Sequence, residues 1–322
     1  MKKWLQPGLW IPLLLVAAFA AYPAITGSAS ARETMFTMIM SIGLASSLNI
    51  LLGYTGYVSF GHIVFFGLGG YLGFWAIDEL GWHLAPAVLL GGVTAGLLAL
   101  LLGLAILRLR GAYFALATIG VNEAMKSLVM NLPFLGAATG MELNFSVYKS
   151  YGGPATALWM VYWSLAAIVL IITVVSYAVK KSKFGLGLMA IREDEDAAGI
   201  MGVVSSRAKT WAYVLSAVFP GMIGVLFFFK NGIIEPGSAF RLNLSIELLV
   251  MVMLGGAGTV LGPILGGAFY QRLRGLLLTS DLFKNIQLAV AGLLLLLIVL
   301  FIPSGAVGWL RERSDRLRRV LE

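Results

Sequence analysis

The sequence predicts an all-α fold, a polytopic membrane bundle of about ten segments (roughly 8–10) that includes discontinuous, glycine-broken helices. Three observations carry that expectation. Of the 322 residues, 59% are hydrophobic and 12% charged, with a mean hydropathy of +0.91, whereas a soluble domain carries roughly 25% charge. Apolar runs long enough to cross a bilayer recur along the chain. Two of them are interrupted by clustered glycines, at Leu51–Gly73 (LLGYTGYVSFGHIVFFGLGGYLG) and Leu254–Gly267 (LGGAGTVLGPILGG). Hydrocarbon offers no hydrogen bonds, so a broken helix at membrane depth survives only against protein or a polar cavity. A pair of such breaks in matching halves marks a transport pathway.

The net charge of +8 does not read as a nucleic-acid signature. The basic residues fall at Lys2–Lys3, Arg108–Arg110, Lys180–Lys183 and Arg311–Arg319, in short flanks between apolar runs, which is the positive-inside pattern of a membrane protein facing lipid. Cysteine is absent, so neither a disulfide frame nor a thiolate site is available. His62 and His83 lie in different segments and form no metal-spacing motif, so no metal is expected.

Leu9–Thr26 is the first apolar stretch. Gly27-Ser28-Ala29-Ser30-Ala31 after it resembles a signal-peptidase site. A cleaved leader and a retained first helix both fit; Pro7 and Pro12 suit an opening helical turn and favour retention. Met35–Leu52 is the second span, and the first break leads into Phe60–Ile77, which Asp78 and Glu79 end. Leu84–Leu107 supplies about 24 residues, or about 36 Å of helix, enough for a ~30 Å core with some tilt. Arg108 and Arg110 place its end in the cytoplasm. Ala112–Met130 is less apolar, with Asn122, Glu123 and Lys126 inside it, and a polar outer loop, Asn131–Pro154, follows. Ala157–Val179 is the cleanest span, closed by Lys180, Lys181 and Lys183.

Residues 182–204 are too polar at Arg192–Asp196 to cross a membrane. Phe184, Leu188, Ile191, Ala198 and Met201 nevertheless recur at helical spacing, which predicts a cytoplasmic amphipathic helix. Trp211–Phe229 spans outward to an external loop ending near Arg241. Leu244–Leu254 and Val260–Tyr270 flank the second break, and each is short for a full span. Arg272, Arg274, Asp281 and Lys284 read as a short external link, Ile286–Ile302 as the last span, and 311–322 as a basic cytoplasmic tail. Both termini are then cytoplasmic in one permease domain over 1–322. Leu52-Gly53-x-x-Gly56-x-Val58 aligns with Leu254-Gly255-x-x-Gly258-x-Val260, which suggests a parallel internal repeat.

No G-x-x-x-x-G-K-[ST] loop occurs, nor a nucleophile elbow or a zinc-protease helix, so the chain is not expected to be an enzyme or to drive transport with ATP by itself. In the first break Gly53, Gly56 and Gly61 permit turns, while Tyr54, Thr55, Tyr57 and Ser59 offer hydroxyls to a path. The same glycines could serve close helix packing instead. Gly255, Gly256 and Gly258 raise the same choice in the second break. Glu123 is an ionisable group at a depth where a lone charge costs roughly 2.5–3.5 kcal/mol; either Lys126, one turn on, neutralises it, or it lines a pathway. Glu247 has no such neighbour, since Arg241 lies off its face.

The stretches GYTGYVSFGHIVFFGLGGYLG, RLRGAYFALATIGVNEAMKSL (Arg108–Leu128), SKFGLGLMAIREDEDAAGIMGV (Ser182–Val203) and LGGAGTVLGPILGG together resemble the LivM-type permeases of branched-chain amino-acid ABC importers, in that family's order, from about Met35 to Pro303. The resemblance implies an amino-acid transport subunit of a bacterial or archaeal inner membrane, paired as a heterodimer with a second permease subunit. It also implies two ATPase subunits, which would hold the ATP and Mg, and an extracytoplasmic substrate-binding protein. Ser182–Val203 is similar to the segment that docks into the ATPase. Phe184, Leu188 and Ile191 would enter its pocket while Arg192, Glu193, Asp194, Glu195 and Asp196 make rim contacts. The chain departs from the family at Leu135–Met141, where a TGG-x-x-G-like element is usual, and this leaves urea or a short-chain amide open as substrate. The competing class is an ion-coupled secondary transporter or channel in which Glu123, Glu247 or Asn49 binds the ion.

Overall fold

The computed structural model describes residues 7–278 and, beyond them, 289–290, 292–293, 296 and 305–308. The chain opens with α1 (Pro7–Thr26) and α2 (Ala29–Thr55). Between them Gly27 takes φ +62°, and the Ser28 hydroxyl accepts from Ala31 N at 3.4 Å, so the stretch that resembles a cleavage site is the capped joint of a helical hairpin. α2 is apolar on every side and 89% of its membrane-length window is buried, against 28% for α1. A helix without a polar face belongs in the centre, and α2 indeed touches α1, α6, α9, α11 and α12.

Of the other long helices, α6 (Pro154–Lys181) and α9 (Ser205–Asn231) pack on α2, α3 (Ile63–Asp78) and α4 (Leu84–Ile106) pack on α9 and on each other, and α5 (Ala112–Met130) lies against α3. α3, α4 and α9 pack through small residues: a Cβ on Gly91 would lie 2.5 Å from Val225 Cγ2, and one on Gly70 2.6 Å from Phe228 Cδ2. With no hydrophobic drive between helices in lipid, such close approach supplies the packing energy. One contiguous apolar core runs from Val16 to Tyr270.

Three elements differ from expectation. The segment read as one amphipathic helix is two, α7 (Lys183–Glu193) and α8 (Glu195–Ile200). Asp194 turns extended between them, and its carboxylate accepts from Asp196 N and Ala197 N, both at 2.9 Å, capping α8. The loop expected on the outer side carries structure that its sequence did not predict: β1 (Met141–Glu142) pairs antiparallel with β2 (Ile233–Ile234), and Tyr148 Oη donates to Phe229 O at 2.6 Å. After α10 (Pro236–Ala239) and α11 (Leu242–Gly255), α12 (Gly262–Leu278) runs on through Arg272 and Arg274, which the sequence assigned to a link.

Among the described residues six helices are long and apolar enough to cross a membrane, and Ile63–Asp78 is a shorter apolar one. The molecule is an all-α, multi-pass membrane bundle. The expected span Ile286–Ile302 lies largely outside the described residues, and the tail 311–322 wholly so.

Candidate functional site

The two glycine breaks, about two hundred residues apart in sequence, meet at the end of the bundle that carries α7 and α8. α2 stops at Gly56, whose φ of +75° turns the chain left-handed and whose N–H closes on Leu52 O at 2.9 Å. The second break turns at Gly258, φ +80°. There Thr259 Oγ1 donates to Gly256 O at 2.8 Å and accepts from Gly262 N at 2.9 Å. The fully buried Asn49 bridges the breaks: its Nδ2 donates to Thr259 O and its Oδ1 accepts from Gly258 N, each at 2.9 Å. Gly53 allows this approach, since a Cβ there would sit 2.5 Å from Gly258 N. Arg192, at the end of α7, then donates through Nη1 to Gly53 O at 2.8 Å.

Beside this junction lies a buried ionic cluster. Lys209 near the start of α9 is 2% exposed, and its three N–H groups are fully used: Glu195 Oε1 at 2.6 Å, Tyr57 Oη at 2.8 Å and Leu107 O at 2.8 Å. Tyr57 Oη donates in turn to Glu195 Oε2 at 2.8 Å. Arg110 adds a bidentate pair to Asp196, at 2.8 and 3.1 Å, and reaches Glu195 at 3.5 Å. Burial pushes the Glu195 carboxyl up, but the Lys209 and Tyr57 hydrogen bonds and the charges of Lys209 and Arg110 outweigh it and hold it below its ordinary value. The Arg110 hydrogen bond likewise lowers Asp196. A cavity of about 510 Å³ opens here, lined by Thr55, Tyr57, Phe60, Arg110, Arg192 and Glu195 among others.

Several expected roles are redistributed by these contacts. Tyr54 is fully buried, its hydroxyl held by Ser176 O at 3.0 Å and Ser176 Oγ at 2.9 Å on α6. Thr55 Oγ1 donates to its own helix at Leu51 O, 2.7 Å. Ser59 is buried and Gly61 packs on the Thr118 backbone, so of the four hydroxyl-bearing residues expected to face a path only Thr55 and Tyr57 line the cavity. Gly53, Gly61 and Gly255 serve close approach, the last against Gly262, while Gly56, Gly256 and Gly258 make the turns.

On α7, Leu188 and Ile191 are 0% and 4% exposed and Phe184 is half-buried, so the apolar face expected to meet a partner packs into this chain's own bundle. Leu186, Ile200, Met201 and Val204 are exposed instead. Of the polar run, Arg192, Asp194, Glu195 and Asp196 bond within the chain, Asp194 as the cap of α8, and Glu193 is exposed. Glu123 is exposed on α5 and no ion pair joins it to Lys126. Glu247 is buried, and its partner is Arg274 of α12 at 3.1 Å, not Arg241. No group of three metal-ligating side chains occurs among the described residues.

The family model described as "Branched-chain amino acid transport system / permease component" matches residues 31–299, a stretch that takes in both breaks, α5, α7 and α8. The chain belongs to that permease family. The permease is 28% identical to the high-affinity branched-chain amino acid transport system permease protein LivM of Salmonella typhimurium, over 95% of this chain and 76% of the relative. It is 24% identical to BraD of Pseudomonas aeruginosa and 22% identical to LivH of Escherichia coli, each a permease protein of the same type, over 82% of this chain and 90% of either relative. No solved structure matches. Lys209 was not picked out from the permease's sequence, where it looks like part of a solvated basic flank with Arg207. Asn49, an amide four residues before Gly53, was the readable sign of the junction.

Proposed function

We propose that this permease is one of two membrane subunits of an ABC importer for branched-chain amino acids, or for a related small amide such as urea, delivered by an extracytoplasmic binding protein. ATP and Mg would sit on two separate ATPase subunits. The observation that carries the reading is the bond from Arg192 of α7 onto the Gly53 carbonyl, with Glu195 of α8 held beside it by Tyr57 and Lys209: a segment too polar to span the membrane is fastened where the pathway helices are discontinuous. Leu186, Ile200, Met201 and Val204, 60–88% exposed, form the apolar surface that enters the ATPase cleft, in place of Leu188 and Ile191. Positive-inside charge puts that end, and both termini, in the cytoplasm.

The solute path runs along α5. Its inward stripe is narrow, and the side it leaves uncovered carries Tyr113, Leu116, Gly120, Glu123 and Ser127. The uncovered stripe of α4 is Leu89, Val93, Leu97, Leu101 and Leu104, a surface suited to acyl chains. A carboxylate on such a face needs water or a second protein chain, so α5 faces the sister permease across the path. With α5, α12 and Ile286–Ile302 counted as crossings the segments number about ten, and the two breaks stand at equivalent places of a parallel repeat. An ion-coupled mechanism is disfavoured because both amide atoms of Asn49 are engaged and Glu247 is paired with Arg274.

The test is co-purification with the neighbouring operon products and reconstitution in liposomes. ATPases and a second permease should accompany the chain, and hydrolysis should rise only with the loaded binding protein. Equal stimulation by free amino acid, or full-speed uptake by the isolated chain, would overturn the reading.

A further inference from the structure

We infer that Asn49 and Arg192 are positioning residues for transport: Asn49 locks the two helix breaks into one body, and Arg192 fastens that body to α7, so that a displacement of the α7–α8 segment reaches both broken helices together. The inference rests on the importer reading above and goes beyond it, by naming the atoms through which the displacement passes.

The backbone accounting at the end of α2 supports it. Gly53 O would ordinarily receive the N–H of Tyr57, but that N–H turns away to Thr55 Oγ1, at 3.3 Å. The carbonyl is one of the orphaned acceptors of a helix C-terminus, where the macrodipole favours a cation. Arg192 Nη1 takes it at 2.8 Å. A charge-assisted bond to a backbone atom cannot slip along a side chain, so motion of α7 acts on the α2 backbone itself.

One turn earlier on the same face, the two polar atoms of Asn49 both go to the second break and none to its own helix, a two-point contact that fixes distance and orientation. The two fastenings are adjacent, since a Cβ on Gly258 would lie 2.9 Å from both Arg192 Nη1 and Gly53 O. Asn49 is 0% exposed and so lies beyond reach of an ATPase docked on the exposed apolar residues of α7 and α8. Any effect of Asn49 on coupling must therefore be transmitted through this chain.

The experiment compares Asn49→Ala with the parent in the reconstituted complex with loaded binding protein. The ATPases are expected to remain bound and to hydrolyse ATP, while uptake per ATP falls about tenfold, the factor for losing a buried hydrogen-bonded contact. An unchanged ratio overturns the inference, as does a loss of uptake that only follows loss of the complex. Where Asn49→Ala does not assemble, the intact lock is read directly. The chain holds no cysteine, so nitroxides at Val58→Cys and Leu261→Cys report across the two breaks. Their separation should hold within about 2 Å when nucleotide is added, the scale of an ordinary interface helix shift; a larger change overturns the lock. A parent complex that takes up solute without ATPase subunits sinks the importer reading alone, because the label distance in the isolated permease still tells whether the breaks are held together.

Discussion

The two breaks share a sequence pattern and differ in what holds them. The second supports itself from within, where Thr259 ties Gly256 to Gly262 in one short turn, and takes its outside support from Asn49 alone among the side-chain bonds described above. The first has little of its own beyond Thr55 and the Gly56 cap. It is held from outside by Arg192 on Gly53, by Lys209 and Glu195 on Tyr57, and by Thr118 Oγ1, which accepts from Phe60 N at 3.1 Å. Similar glycine spacing therefore specifies a place where the chain can turn, not how firmly it does so. The difference makes the first break the one whose shape depends on where α7, α8 and α5 stand.

The largest expected effect strikes the first break alone. Glu195→Ala leaves the buried Lys209 charge with only Tyr57 and Leu107 O, and should destabilise the protein by about 3–5 kcal/mol, as breaking buried ion pairs does. Thermal unfolding in detergent measures it; a loss under about 1 kcal/mol, the size of a surface pair, would mean the cluster does not hold the break. Next, Gly53→Ala forces a methyl against Gly258 N and Asn49 and should cost about 1–3 kcal/mol by overpacking. Gly255→Ala meets Gly262 and should cost a similar amount, so a neutral result at either position would show that break to be looser than its contacts imply.

A smaller effect belongs to the second break: Thr259→Val keeps shape and removes both hydroxyl bonds, for a loss of about 1 kcal/mol. If its melting curve matched the parent's, the claim of self-support would fail. The smallest effect is on pH dependence. Glu195 is held below its ordinary 4.5, and a carboxylate depressed in the fold stabilises above its unfolded value and ceases to do so as pH falls through the folded one. Melting temperature should thus be flat from neutral pH to about 5 with respect to this group and drop below that, and the drop should shrink in Glu195→Gln. An identical acid limb in that variant would place the titration elsewhere.

Most of the fold was legible because bilayer chemistry writes helices as uninterrupted apolar runs. The helix expected at Ala112–Met130 agrees at both ends with the structure, where Gly111 and Asn131 bound it. The site was legible only in outline. Helical periodicity at Phe184, Leu188 and Ile191 revealed an apolar face without saying what covers it, and the cover is this chain's own bundle. Partners at long range, such as Arg192 with Gly53 or Glu247 with Arg274, leave no periodic trace, because the pairing depends on how whole helices pack. Tyr54 and Ser59 looked like path-lining hydroxyls for the same reason: composition shows polarity, and only packing shows direction.

α9 is anchored at both of its ends. Near its start Lys209 is gripped by Glu195 and Tyr57, and at its finish Gly232 O receives Leu143 N at 2.8 Å while Phe229 O receives the Tyr148 hydroxyl. A helix of 27 residues spans about 40 Å, so this single tie rod joins the two ends of the bundle. Because the helix is continuous, a tilt at Lys209 also displaces the β1–β2 pair, which puts the two ends of the bundle on a shared mechanical clock.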